Sequence, residues 1–311
     1  MSREIAALAL GLVCAGVGGE LFVRAAVGIA AWARVPAGVI GATVAAFATS
    51  TPELSVAIGA AVAEEPEIAL GDALGSNVVN VALVLGLALL IGPIVAPRES
   101  TRRDVPFAVL VPLLTIVLAL DGTISGLDGA ILLCSFSTWL VLTTLGARRE
   151  RSAAVAVLAE RSHWRSIVEI LAGLAFLIAA GRLIVYGARG VGEELGLDAF
   201  VIGATFVAVG TSTPELATTL VARIRGHSEI GLCTIVGSNI YNGGFIIAIA
   251  ALIHPIDVNF RDVGAAIGFG LALVALLLNA RGMLGRRLGL VFLALYVVYV
   301  VVLLTSPPST H

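Results

Sequence analysis

Charge is scarce in this chain. Only 13% of its 311 residues are charged, 59% are hydrophobic, and the formal net charge is −2. With a mean hydropathy of +1.04, that scarcity excludes a soluble domain and points to an integral membrane protein whose first partner is the lipid bilayer. Nor is there a basic face for nucleic acid. Lysine is absent, all 19 cationic residues being arginine, a compositional bias to which no function attaches. Cysteine is thin too. Cys14, Cys134 and Cys233 are scattered through apolar segments, which excludes a disulfide framework or a paired metal site and leaves the redox compartment unreadable. Histidine occurs four times, at His163, His227, His254 and His311, each in a loop or at the end of an apolar run. A serine nucleophile needs an activating base, so these positions argue against an intramembrane hydrolase. Asp72 after Gly71 lacks the second aspartate that an aspartyl protease requires. The chain reads as no enzyme, with no cofactor and no evident obligate protein partner.

What is present is apolar sequence in runs of membrane-spanning length, about 20 residues each. Ten spans are expected, at 5–33, 37–63, 68–95, 105–120, 126–146, 166–192, 199–222, 229–255, 263–279 and 288–305. The fourth is short and carries Pro106 and Pro112. The first is too long for a signal-peptide core and has a counterpart in register in the second half, so it belongs to the mature fold. The organisation expected is a first repeat at 1–146, a linker at 147–165 and a second repeat at 166–311. Arginine collects in the loops after odd-numbered spans (Arg34, Arg98, Arg102, Arg103, Arg223, Arg225, Arg281, Arg286, Arg287 and the linker cluster). That bias makes those loops and the linker cytoplasmic and puts both termini outside, in a multi-pass protein of the cell membrane.

One stretch occurs twice. Residues 41–54 read GATVAAFATSTPEL and residues 203–216 read GATFVAVGTSTPEL; 23 of 54 aligned positions are identical between 41–94 and 203–256. The step is 162 residues throughout, from Glu53 to Glu215, Ser76 to Ser238 and Asn80 to Asn242. Five spans per copy is an odd number, so the second copy enters the membrane from the opposite side. The fold class expected is therefore all-α, two inverted five-helix repeats, an arrangement typical of secondary transporters with a site at the midplane between the repeats.

The repeated residues are costly ones. Pro52 and Pro214 lack an N–H and break or kink the second and seventh spans, freeing carbonyls near Ala48 and Gly210. Thr49, Ser50, Thr211 and Ser212 put hydroxyls beside those breaks, and Glu53 and Glu215 put carboxylates there. Ser76 and Asn80, with their copies Ser238 and Asn242, are four apart and share a helix face. All are hard oxygen donors, suited to Na⁺ or Ca²⁺ rather than transition metals. An intramembrane carboxylate costs about 3 kcal/mol, so two at equivalent depths call for a compensating cation or proton. Glu20, Arg24 and Arg182 read as structural partners or snorkelling groups, and Gly16, Gly18 and Gly19 as a close-packing surface.

TSTPEL followed by GSN-x-x-N, twice, resembles the α-repeats of the sodium/calcium exchanger family, in the cation/calcium antiporter superfamily and nearest its prokaryotic type. The resemblance covers all ten spans. It implies alternating access by sliding of the first and sixth helices, Glu53 and Glu215 as central Ca²⁺ ligands, and Thr49, Ser50, Thr211, Ser212, Ser76 and Ser238 as donors to flanking Na⁺ sites. It further implies backbone carbonyls from Ala46 and Ala208. Two positions depart from the pattern. Asn242 stands where many relatives carry Asp, which leaves two formal negative charges and puts the coupling ratio in question. Asp72, four before Ser76 on the same helix face, stands where relatives commonly carry Asn; its copy is Thr234, and it either lines an ion path or, the favoured reading, sits at the interface. The function expected is exchange of Na⁺ for Ca²⁺, both as transported substrates. The alternative is a H⁺/Ca²⁺ antiporter using the same glutamates, and a passive channel fits the paired acidic kinks less well.

Overall fold

The computed structural model of the chain describes residues 2–33, 37–150, 163–194, 199–279 and 283–305. Among the described residues ten long helical segments emerge, broken or continuous, and their bounds follow the apolar runs. They are α1 (Ser2–Ala33), α2 (Gly38–Thr49 joined to Thr51–Val62), α3 (Pro66–Ile91), α4 (Arg98–Leu118) and α5 (Gly126–Glu150). The second repeat supplies α6 (His163–Glu194), α7 (Phe200–Thr211 joined to Thr213–Ile224), α8 (Ser228–Ile253), α9 (Phe260–Asn279) and α10 (Arg286–Thr305). Most of the linker falls outside the described residues. The short fourth span is one continuous helix despite Pro106 and Pro112.

The two signature helices are bent where the sequence places their prolines, by 41° in α2 and 40° in α7. Ser50 and Ser212 sit at the breaks, with ψ of 11° and 6° instead of helical values. Each proline then lies in the first turn of the following half-helix, where its missing N–H is not needed. The freed carbonyls are a correction. Backbone N–H groups at each break bond to the carbonyls of Ala46 and Ala48, and of Ala208 and Gly210, so one-residue breaks leave those acceptors occupied. A second feature had no counterpart in the sequence reading. Each of the four central helices contains a wide π-helical turn, at Gly41–Ala45, Val79–Leu85, Gly203–Val207 and Asn242–Ile246. Such turns are rare and concentrate at functional sites.

The centre of the protein is α3 and α8, whose apolar windows are 72% and 83% buried, against 22% for the peripheral α10. They cross the broken helices at backbone distance. A Cβ on Gly75 would lie 2.5 Å from the Ala204 carbonyl oxygen, and one on the mirror residue Gly237 would lie 2.3 Å from that of Ala42. Both crossings therefore require glycine. Outside this centre, α1 and α6 meet at Gly18 and Gly173 and share a small separate apolar cluster, Phe22 and Leu177 with Ala45 and Ala48.

Two short antiparallel ladders confirm the inverted parity. Ile94–Val95, after α3, pairs with Met283–Leu284, before α10. Thr123–Ile124, before α5, pairs with Ile256–Asp257, after α8. The first ladder joins two loops that follow odd spans and the second joins two that follow even spans. Paired strands share one side of a membrane, so one miscounted span between α5 and α8 would have made these pairings impossible. The same exchange holds in the packing, where Gly289 of α10 lies against Gly86 of α3, and Gly129 of α5 against Ala248 of α8. Each outer helix is seated on the inner helix of the other repeat.

Candidate functional site

The breaks in α2 and α7 and the polar turns of α3 and α8 converge. Thr49, Ser50, Glu53, Asp72, Ser76, Asn80, Thr211, Glu215, Ser238 and Asn242 are all fully buried, and Ser212 is 1% exposed. Glu215 is reached from both repeats: its Oε1 accepts hydrogen bonds from Ser50 Oγ of α2 at 3.2 Å and from Ser238 Oγ of α8 at 3.0 Å. Glu53, the mirror residue, has no hydrogen-bond partner on either carboxylate oxygen. The two carboxylates and Asp72 lie near enough for their charges to interact.

Hydroxyl orientation matters for what this cavity can hold. Thr49 Oγ1 donates back to the Ala45 carbonyl at 3.0 Å. Thr211 Oγ1 has the Val207 carbonyl at 3.1 Å and Asp72 Oδ1 at 2.8 Å. A hydroxyl whose single proton is committed elsewhere presents only lone pairs to the space beyond it. Further bare acceptors are Asp72 Oδ2, Glu215 Oε2, Asn80 Oδ1, Asn242 Oδ1 and Ser212 Oγ. Buried oxygens without partners are exceptions that need a cause; with Asn242 Nδ2 the one bare nitrogen beside them, a set dominated by oxygen suits a hard cation. The Ala46 and Ala208 carbonyls, by contrast, are engaged by Ser50 and Ser212 N–H, each at 3.0 Å, and have one lone pair left.

Asp72 corrects the sequence reading. It is not an interfacial residue: it is fully buried and takes hydrogen bonds from Thr211 of the other repeat and, at 3.4 Å, from Ser76. Asn77 and Asn239 were also passed over. Asn77 Nδ2 donates to the Asn239 carbonyl at 3.3 Å and Asn239 Nδ2 to the Asn77 carbonyl at 3.1 Å. Residues related by the repeat thus bond to each other reciprocally, which puts the pseudo-two-fold axis between them. Asn80 Nδ2 adds a bond to Asn239 Oδ1 at 3.0 Å.

The model of the sodium/calcium exchanger protein family matches residues 4–145 and 165–305, both repeats and nearly all of the described fold. The chain belongs to the sodium/calcium exchanger family. An uncharacterized membrane protein of Methanocaldococcus jannaschii is 32% identical over 292 residues, 93% of this chain and 94% of that one. The sodium/calcium exchanger MaX1 of Methanosarcina acetivorans is 28% identical over 339 residues, covering 95% and 97% of the two chains. Among solved structures, the sodium-calcium exchanger NCX_Mj soaked with Na⁺ and Sr²⁺ superposes with a TM-score of 0.81 at 31% identity, over 96% of this chain and 98% of that one. Membership places this exchanger among cation/Ca²⁺ antiporters and not among enzymes. The local geometry is of the same kind. Ser50 and Ser76 bond to carboxylates, not to a base of the sort a nucleophile requires.

Some charged groups elsewhere in the exchanger are paired. Glu20 is bonded by Arg24 at 2.7 Å and by Arg225 from the end of α7, the structural role expected of the first two. Asp104 is held by Arg103 at 2.8 Å and by Trp139 Nε1 at 3.0 Å, which ties α4 to α5. Among the described residues no ion pair reaches Glu53, Asp72 or Glu215.

Proposed function

We propose that this protein exchanges Na⁺ for Ca²⁺ across the cell membrane, binding both ions in turn between Glu53 and Glu215. The observation that carries the reading is a buried, oxygen-rich cluster with unpartnered carboxylates drawn from both repeats. An unpaired buried carboxylate costs several kcal/mol, so the cavity is stable in transit only when cations fill it. Glu53 and Glu215, with the Asn80 and Asn242 oxygens, form the central position for Ca²⁺. Thr49, Ser50 and Ser238 serve a flanking Na⁺ on one side, and Ser76, Thr211 and Ser212 one on the other. The second lone pairs of the Ala46 and Ala208 carbonyls supplement them. The lone-pair orientation of Thr49 and Thr211 favours Na⁺ as the counter-ion over H⁺, because a proton needs no further oxygen ligands. MaX1 and NCX_Mj carry this ion pair in their names.

Alternating access follows from the packing. Helices α1 and α6 contact the rest through a small apolar cluster, the packing of Gly19 on Ala217 and the Glu20–Arg225 ion pair. None of these involves the buried oxygens between the repeats, so sliding of the pair leaves their polar contacts unbroken. The other helices of repeats 1–146 and 166–311 remain as the frame, and the arginine distribution supports a cytoplasmic 147–165 linker with both termini outside.

The test is Ca²⁺ uptake into vesicles preloaded with Na⁺, set against vesicles with K⁺ and an imposed pH gradient. Uptake driven by Na⁺ and abolished in Glu53→Gln and Glu215→Gln is the expected result. Uptake driven by the pH gradient alone would replace Na⁺ by H⁺ in this scheme, and full activity in either variant would remove that glutamate from its role.

A further inference from the structure

We infer that Asp72 is a third anionic ligand of the site, adding its charge to the flanking position of Glu53, Ser76 and Thr211 so that the site as a whole holds one monovalent cation more than the two glutamates alone would balance. This rests on the Na⁺/Ca²⁺ reading and deepens it. Asp72 is fully buried on α3. Its Oδ1 takes the protons of Thr211 (2.8 Å) and Ser76 (3.4 Å), which themselves lie 3.3 Å apart. Its Oδ2 is bare, as are both oxygens of Glu53. With its partners' protons pointed at Asp72 Oδ1, the Thr211 and Ser76 oxygens offer lone pairs to the same space.

The charge ledger gives the ion its class. Glu53 and Glu215 match one Ca²⁺ or two Na⁺. A third carboxylate without a basic partner adds one negative charge that a dry cavity does not tolerate uncompensated. One further Na⁺ neutralises it. The mirror position is Thr234, whose hydroxyl is turned back on its own helix to the Ile230 carbonyl at 2.8 Å. Only one end of the cavity is therefore charged in this way, and the two flanking positions are inequivalent.

Asp72→Asn keeps the shape and removes the charge. In vesicles with fixed Na⁺ and Ca²⁺ gradients, the membrane potential at which Ca²⁺ flux reverses reports the number of Na⁺ moved per Ca²⁺. Exchange of two Na⁺ for one Ca²⁺, being electroneutral, shows no dependence on potential. The variant is expected to move one Na⁺ fewer than the parent, and an unchanged ratio would overturn the inference. Should the variant not transport, thermal melting of the detergent-solubilised protein against NaCl or CaCl₂ decides, because a ligand stabilises by mass action. A shallower dependence on Na⁺ with the Ca²⁺ dependence kept supports the assignment. An unchanged Na⁺ dependence, or an equal loss for both ions, refutes it. Failure of the underlying reading looks different: the parent protein itself would show no Na⁺-driven uptake.

Discussion

Glu53 and Glu215 end copies of the same six-residue motif, yet the structure treats them differently. Glu215 takes hydroxyl protons from Ser50 and Ser238, whereas Glu53 takes none. The bond that symmetry would direct from Ser76 to Glu53 goes to Asp72 instead, and the Ser212 hydroxyl that would mirror Ser50 is unpartnered. One residue, Asp72 opposite Thr234, accounts for much of the difference. It captures the hydroxyls near it, and the neighbouring glutamate is left bare for a cation. An inverted repeat can thus supply a symmetric frame while a single substitution makes the two ends of its cavity chemically distinct.

The largest effect that bears on this comparison is loss of either carboxylate. Glu53→Gln and Glu215→Gln should each cost about 3 kcal/mol of ion binding, or roughly a hundredfold in Ca²⁺ affinity, measurable by Ca²⁺ titration of melting temperature. If only Glu215→Gln did so, the bare carboxylate would not be a ligand. Next come the crossings. Gly75→Ala and Gly237→Ala each push a methyl into a backbone carbonyl and should lower stability by about 1–3 kcal/mol, read in thermal unfolding. Here the repeats should behave alike, because the frame is symmetric where the cavity is not. Smaller again, Asn77→Ala and Asn239→Ala should each cost about 1 kcal/mol. Their double variant should cost about the sum, since each bonds to the other's backbone carbonyl, which alanine keeps. The smallest difference separates Ser50→Ala from Ser212→Ala. Removing the Ser50 hydroxyl deprives Glu215 of a donor at about 1 kcal/mol, while removing that of Ser212 leaves no hydrogen bond broken. Comparing thermal unfolding of the two without added Na⁺ or Ca²⁺ checks it.

The sequence carried the frame plainly, for physical reasons. A membrane demands unbroken apolar runs, so the spans announce themselves, and duplication at a fixed step of 162 residues exposed Glu53, Glu215 and their hydroxyl neighbours. The π-helical turns were invisible because a shifted hydrogen-bond register leaves no residue signature. Asp72 was misread for another reason. Its spacing to Ser76 was noticed, but which way that face points depends on packing. The clue was in plain view: Gly71 and Gly75 flank it and lie against the carbonyl oxygens of Phe200 and Ala204 at 2.6 and 2.5 Å from an added Cβ. A face bounded by two such glycines is turned toward a neighbouring helix, not toward the membrane surface. The expected free carbonyls at the prolines failed because a one-residue break is short enough for nearby N–H groups to reach across.

The crossed seating of the outer helices has a consequence for how this chain comes into being. While the ribosome has delivered only the first five spans, α5 has no α8 to lie on and α3 has no α10 over it, so their small-residue grooves face lipid until the second copy arrives. Neither copy is a finished object. A nascent fragment truncated between them should remain unclasped on both sides of the bilayer, and supplying the missing copy as a separate polypeptide should complete it.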